Sequence, residues 1–257
     1  MGFAVMHFEK SKNASSGLGR HIDRKHTPKN CDETKSHLNR FYDPRKKGAF
    51  DYGPPKESLN QRINNRIKEG YTAPRKIRSN AVRSINFILT GSNEDMIKIF
   101  KDPEESKLWI RNNFEFLADE FGGIENIVSF ALHMDEKTPH IHATVVPITE
   151  DGRLSARDFI GDRKKMQQLQ DLYAEKMKPF DLERGIKGSR AEHTTTKEYY
   201  SMIEKPVKMS QNLTVEEKAN LADRYLAKHI DRLLEAKKRA QYGKSYRENQ
   251  NRKKPKL

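Results

Sequence analysis

Two runs of strand-forming residues, 125-ENIVSFALH-133 and 140-HIHATVVPI-148, stand six residues apart, with 134-MDEKTP-139 between them. The connecting segment is turn-forming and ends in Pro139, which a strand tolerates at its start. The simplest arrangement is an antiparallel hairpin. Its consequence is chemical, because 133-HMDEKTPHIH-142 holds three of the chain's nine histidines. Residues i and i+2 of a strand share a face, about 6.6 Å apart. His140 and His142 therefore project together, and the hairpin can bring His133 opposite them. Either the three share a metal ion, or this is a polar hairpin that happens to be rich in histidine. A spacing of H-x6-H-x-H across two strands favours the ion. Three imidazoles, with a carboxylate from Glu136 or Asp135, suit a borderline divalent metal such as Mn, Zn, Co or Ni. Three protein ligands leave a position open for a substrate oxygen. The pattern is not H-E-x-x-H on a helix, because Pro139 and the short turn oppose that arrangement.

The remaining pattern alternates strands with helices. Residues 3–8 and 84–90 read as strands. Residues 57–70 read as a helix with Leu59, Ile63 and Ile67 on one face and Gly70 as its stop. In 104–123 the residues Ile110, Phe114, Leu117 and Phe121 form an apolar stripe, and Gly122 suits the C′ position. A helix over about 162–177 puts Met166, Leu169 and Tyr173 on one face. Further on, 214-TVEE-217 matches a capping box and opens a long helix with the stripe Ala222, Leu226, Ile230 and Leu233. No Gly-rich strand-to-helix turn appears, so parallel βαβ units are disfavoured. The expected fold class is α+β, an antiparallel sheet with helices packed on one face. The expected organisation is one domain over residues 1–200 and a helical extension with a basic, flexible tail over 201–257.

Charge points to the partner. The chain of 257 residues carries a formal +14. Residues 20–83 hold 17 Lys or Arg against 7 Asp or Glu, and 237–257 hold nine against one. Such a balance favours a polyanion over a merely soluble basic protein. Arg75, Arg78 and Arg83 stand before a predicted strand as candidate phosphate contacts. No apolar run approaches the roughly 18 residues of a membrane span, and the N-terminus is charged too soon for a signal peptide. The single Cys31 excludes an internal disulfide framework and fits a reducing, cytoplasmic setting.

A second candidate centre lies in 17-GLGRHIDRKH-26. A neutral histidine can attack phosphorus without a base, provided the right tautomer is held. His21 is the candidate nucleophile, Asp23 a candidate orienter, and Arg20 and Arg24 candidate phosphate ligands.

Four stretches carry a family resemblance: 133-HMDEKTPHIH-142, 21-HIDR-24, 36-SHLN-39 and 75-RKIRSNAV-82, with weaker likeness through 181-DLERG-185 and 192-EHTT-195. Together they resemble the MobV (Mob/Pre) plasmid mobilisation relaxases of the HUH endonuclease superfamily. Asp23 stands where that family has Glu, and Asn80 where Asp is usual. The resemblance implies a five-stranded antiparallel sheet backed by helices, with the paired histidines on its central strands. It implies His133, His140 and His142 as metal ligands with Glu136 as the fourth, and one divalent ion, Mn first with Mg, Zn, Co or Ni as alternatives. It implies His21, with Asp23 and Arg24, at the reaction centre. Arg20, Arg75, Arg78, Arg83, His37 and Asn39 become candidate DNA contacts, and Phe41, Tyr42 or Tyr52 candidate stacking partners. The partner would be single-stranded or hairpin origin-of-transfer DNA, with accessory mobilisation or conjugation proteins, in a bacterial cytoplasm.

The implied activity is nicking of one strand at a transfer origin through a 5′-phospho-histidine link that is later rejoined. Because most HUH relaxases use tyrosine, Tyr42 and Tyr52 remain alternative nucleophiles. Two other readings stand beside it: a metal-dependent replication initiator or phosphodiesterase using tyrosine or water, and a non-catalytic origin-binding protein with a structural metal.

Overall fold

The structure, a computed structural model, describes residues 2–187 apart from 13–15, 27–30, 43–49 and 52. The expected helix opening at Thr214, the basic tail, the boundary at 200/201 and Tyr52 lie outside the described residues. The chain divides into two units, Met1–Gly185 and Ile186–Leu257, and the first carries everything below.

Seven strands form one sheet in the order β3-β2-β5-β6-β4-β1-β7. The strands are β1 (Gly2–Ser11), β2 (Arg40–Tyr42), β3 (Phe50–Asp51), β4 (Ser84–Gly91), β5 (Ile127–His133), β6 (His140–Val145) and β7 (Leu182–Arg184). The expected hairpin is β5–β6, with His133 paired to His140 and Ala131 to His142. β2, β5, β6, β4 and β1 make the expected five antiparallel strands. Short β3 and β7 extend the two edges, and β7 runs parallel to β1. The additions escaped the sequence pattern because two- and three-residue strands carry no periodicity.

The helices are α1 (Ser16–Ile22), α2 (Leu59–Gly70), α3 (Asn93–Ile99), α4 (Pro103–Glu120), α5 (Ala156–Ile160) and α6 (Arg163–Met177). They cover both faces, where a single covered face was expected. Inward residues Ile85, Phe87 and Leu89 of β4, Phe130 and Leu132 of β5, and Ile141, Ala143 and Val145 of β6 join the main core with α3, α4 and α6. On the other face Ala131 and Phe41 join a second core with Ile22 of α1 and Leu59, Ile63 and Ile67 of α2. The α2 row is the one its four-residue spacing foretold. Gly19 makes the α1–α2 contact possible, since a Cβ there would lie 3.1 Å from Leu59 Cβ.

α4 ends as expected, with Gly122 at φ +81° just past its cap. Of its expected stripe, Leu117 and Phe121 are buried while Ile110 and Phe114 lie at the margin, and Trp109, Asn113 and Phe116 complete the buried row. Asn113 accepts a hydrogen bond from Tyr173 of α6 (2.9 Å) and donates to Trp109 O (2.8 Å), so a satisfied amide joins the buried row, which an apolar pattern does not reveal.

Candidate metal and nucleophile centre

The second sheet face is the one that bears chemistry. His133 closes β5 and His140 and His142 open β6, all on the face shared with Ala131. The strand period and the hairpin register together deliver the three rings to one point. His140 Nε2 and His142 Nε2 are 3.2 Å apart, and the ring centroids of His133 lie 5.3 and 4.8 Å from those of His140 and His142.

In two of the rings the bonded nitrogen shows which atom is left over. His140 Nδ1 lies 2.8 Å from Thr138 O and can only donate to that carbonyl, which leaves the Nε2 lone pair free. His133 Nε2 donates to Ile22 O at 3.0 Å. Its Nδ1 is therefore an acceptor, and that atom is buried without a partner. An orphaned buried lone pair beside two convergent imidazole nitrogens fits a divalent metal, and metal-ligating histidines generally fix their tautomer through such an outer bond. Burial pushes His133 down to about 2, with Arg24 and His140 acting the same way. Burial also lowers His142 well below its ordinary value, with His140 and His133 adding to it. Both rings are neutral at pH 7, the form in which imidazole ligates.

The two acids of the turn have separate roles. Asp135 is 1% exposed and accepts both Arg24 Nε (3.0 Å) and Nη2 (2.6 Å), together with Asn39 Nδ2 (2.7 Å). Burial alone would raise this carboxyl, but the bonds from Arg24 and Asn39 outweigh it and hold the group below its ordinary value. Glu136 faces the rings, with Oε1 3.7 Å from His21 Nε2, 3.8 Å from His140 Nε2 and 2.7 Å from Arg24 Nη2. Of the two candidate oxygens, the structure brings Glu136 to the imidazole face and ties Asp135 to Arg24.

α1 brings the fourth histidine. His21 Nε2 is 3.3 Å from His142 Nε2, across 121 positions of sequence. Burial and the nearby Arg24 charge lower its pKa, against the opposing pull of Glu136, so the ring is neutral at pH 7. The helix stops one residue later in a Schellman turn: Lys25 N–H bonds Arg20 O (3.0 Å) and Arg24 N–H bonds His21 O (3.2 Å). The residue at its left-handed position is Arg24, φ 49°, where glycine is usual. That kink sends two neighbouring side chains in different directions. Arg24 turns to Asp135 and Glu136. Asp23, 1% exposed, turns to α2, where Arg62 Nη2 donates to its Oδ1 at 2.6 Å and Arg62 Nη1 donates to Val128 O at 3.0 Å. Asp23 therefore touches Arg62 and not the His21 ring it was expected to orient. Burial raises the Asp23 carboxyl more than Arg62 lowers it. Arg62 was missed by sequence reading, since one arginine inside an apolar helical row looks like a solvated residue.

The other candidates are more dispersed. Arg20 is exposed beside His21, and His37 is exposed on the 3-10 turn Glu33–Leu38. Asn39 is buried: it donates to Asp135 and accepts Met134 N–H at 2.7 Å, so it braces the turn between β5 and β6. Arg75 and Arg78 are exposed in the connection from α2 to β4. Arg83 bonds Asn64 (3.3 Å) and adjoins the end of β4 that pairs with Val145, away from His140. Tyr42 lies against Phe114 and Phe130, centroids 4.7 and 6.3 Å away, on the sheet face opposite the histidines. Phe41 is buried in the second core.

A sheet whose central strands present converging histidines to a fourth on a short helix places the chain in the relaxase-fold class. A solved MobM relaxase domain (MOBV; Mob_Pre), Mn-bound and in complex with plasmid pMV158 oriT DNA, superposes with a TM-score of 0.65 at 28% identity, over 77% of this chain and 98% of that one. A second, at pH 6.8 with a 3′-thiophosphate oligonucleotide, gives 0.65 at 29%, over 77% and 97%. The chain belongs to the Mob_Pre family, described as plasmid recombination enzyme, whose model matches residues 1–201. Among curated relatives, a plasmid recombination enzyme type 3 of Mammaliicoccus lentus is 34% identical over 192 residues, covering 72% of this chain and 44% of that protein. A plasmid recombination enzyme of a Bacillus species is 32% identical over 229 residues, covering 86% and 52%. The chain spans about half the length of these relatives.

Proposed function

We propose that this chain is a DNA relaxase that nicks one strand at a plasmid transfer origin, with His21 as the nucleophile and a divalent ion, Mn first, held by His133, His140 and His142. The observation that carries the reading is the 3.3 Å approach of His21 Nε2 to His142 Nε2, while Tyr42 occupies the opposite sheet face. The other described tyrosines, Tyr71 and Tyr173, are bonded to Arg75 O and buried against Asn113. The Mn-bound, oriT-bound relaxase domains with the same fold support the metal and the substrate class.

The bound ion would act as a Lewis acid on a non-bridging oxygen of the scissile phosphate. The protein's own groups do the rest. Neutral His21 offers Nε2 to phosphorus with its proton on Nδ1. Arg24 Nη1 stands 3.4 Å from Nδ1, and because a guanidinium can only donate, attack through Nε2 requires this contact to give way to the Nδ1–H tautomer. The P–N bond forms as the P–O3′ bond breaks; the 3′ oxygen takes a proton from solvent and departs as a hydroxyl, and the phosphorylated ring gives up its Nδ1 proton to solvent. The 5′-phosphate remains on His21 as a phosphoramidate, reactive enough to take a 3′-hydroxyl back. Arg24, anchored by Asp135 and Glu136, keeps the ring neutral and α1 in place. Exposed Phe3, Val5 and Ile88 continue the same sheet face beside His142 and offer apolar ground for unpaired bases. Arg20, Arg75 and Arg78 supply phosphate contacts.

His21→Ala and Tyr42→Phe, incubated with labelled single-stranded origin DNA and Mn2+, test the assignment. The covalent adduct disappears in His21→Ala and persists in Tyr42→Phe. The reverse pattern sinks it.

A further inference from the structure

We propose that His21 is itself a ligand of the metal in the DNA-free protein, and that it is released as a nucleophile only when a backbone phosphate takes its coordination position. This rests on the metal reading above and concerns the regulation of that same site.

The donor spacing carries the argument. Imidazole nitrogens bound to one ion at about 2.0–2.1 Å lie about 2.8–3.4 Å from their neighbours, for right-angled to tetrahedral coordination. The accepted ligand pair His140 Nε2 and His142 Nε2 sits at 3.2 Å. His21 Nε2 sits at 3.3 Å from the same His142 atom. The donor atoms of His21, His133 and His142 all lie within 4.8 Å of one another, and those of His133, Glu136 and His140 form a second such group that shares His133.

Ring orientation agrees. His21 meets His142 at 87° and His133 at 81°, while His133 meets His140 at 86° and His140 meets His142 at 78°. His133 meets His142 at 56°, so none of these pairs is stacked, and unstacked rings with neighbouring nitrogens can share one ion. Glu136, the other candidate for the fourth place, is farther from the rings at 3.7 and 3.8 Å and is held by Arg24 at 2.7 Å.

While it ligates, His21 has its Nε2 lone pair on the ion and cannot attack phosphorus, and in four-coordinate geometry four nitrogens leave the substrate position closed. Release of His21 opens it. The freed imidazole then stands beside the phosphate that displaced it, so nicking becomes conditional on DNA. His133 binds α1 through Ile22 O, which keeps His21 within reach throughout.

The test uses the full chain, freed of metal and titrated with Co2+. His21→Ala is compared with the wild type and with His26→Ala, an exposed neighbour. Melting temperatures establish that all three are folded. The proposal expects Co2+ affinity to fall at least about tenfold in His21→Ala, the loss that even an outer partner of a ligand causes, and to stay unchanged in His26→Ala. It expects four paramagnetically shifted imidazole N–H resonances in the wild type and three in His21→Ala. In the wild type it also expects one of the four to disappear on adding origin oligonucleotide. Equal affinity with three resonances in both proteins overturns the proposal while leaving His21 as nucleophile intact. Absence of Co2+ binding by the wild type overturns the metal reading and this inference with it.

Discussion

Arg24 stands in a left-handed conformation at φ 49°, in a position where glycine is the usual residue. A left-handed residue with a Cβ costs about 1–2 kcal/mol, and glycine avoids this at an entropic cost of about 0.5–1 kcal/mol. Arg24→Gly and Arg24→Ala both remove the guanidinium that pairs with Asp135, whose side chain is 1% exposed. Leaving a buried carboxylate without its partner costs about 3–5 kcal/mol, so both variants are strongly destabilised. They differ only in backbone strain, and Arg24→Gly is expected to be the more stable by about 1 kcal/mol. Urea denaturation of both, in chelator at pH 7, reads the difference directly. An alanine variant as stable as the glycine variant would refute the strain, and a loss below about 1 kcal/mol in either would refute the buried pair. If both hold, the arginine occupies a glycine site because its charge offsets the buried Asp135 carboxylate.

The other predictions follow from the same groups. His133 and His142 have folded pKa values below the unfolded value, so the unfolded chain binds more protons below about pH 6.5 and stability falls as pH drops. For His133 the loss from pH 7 to pH 5 is about 2 kcal/mol in metal-free protein, with His142 adding in the same direction, and a flat stability profile over that range would contradict their burial as neutral groups. His21 also has a lowered pKa, so the rate of adduct formation should hold from pH 8 to below 6.5 before falling; a midpoint above 6.5 would contradict it. Arg62→Met leaves Asp23 buried and unpaired and should cost about 3–5 kcal/mol, whereas Asp23→Leu/Arg62→Met together should cost far less; additive losses in a double-mutant cycle would exclude the coupling. Removing Arg75 and Arg78 should reduce the salt slope of single-stranded DNA affinity by about 0.7 per lost phosphate contact, and an unchanged slope removes them from the interface.

The hairpin, its register and the convergence of His133, His140 and His142 were legible because the strand period and a short turn are local properties. α2 and the end of α4 were legible for the same reason, from a four-residue apolar row and Gly122. What was hidden depends on distant partners. Asn113 could not be assigned to the α4 stripe without Tyr173, nor Arg62 to the interior without Asp23 and Val128 O. The motif around His21 named the right segment but reversed the role of one neighbour, because the turn at Arg24 sends Asp23 toward α2. Asn39 read as a DNA contact until the fold placed it under Asp135 and Met134. The second face's cover was hidden in part: α2 was legible but not the face it packs on, and a seven-residue α1 has too few turns to show a period.

The central claim is that His21 forms the bond to DNA. Peptide mass spectrometry of the adduct with a suicide origin oligonucleotide tests it most directly. The account predicts an acid-labile nucleotide phosphoramidate on the tryptic peptide that contains His21. Modification of Tyr42 or Tyr52, or cleavage with no protein-linked nucleotide, would contradict it.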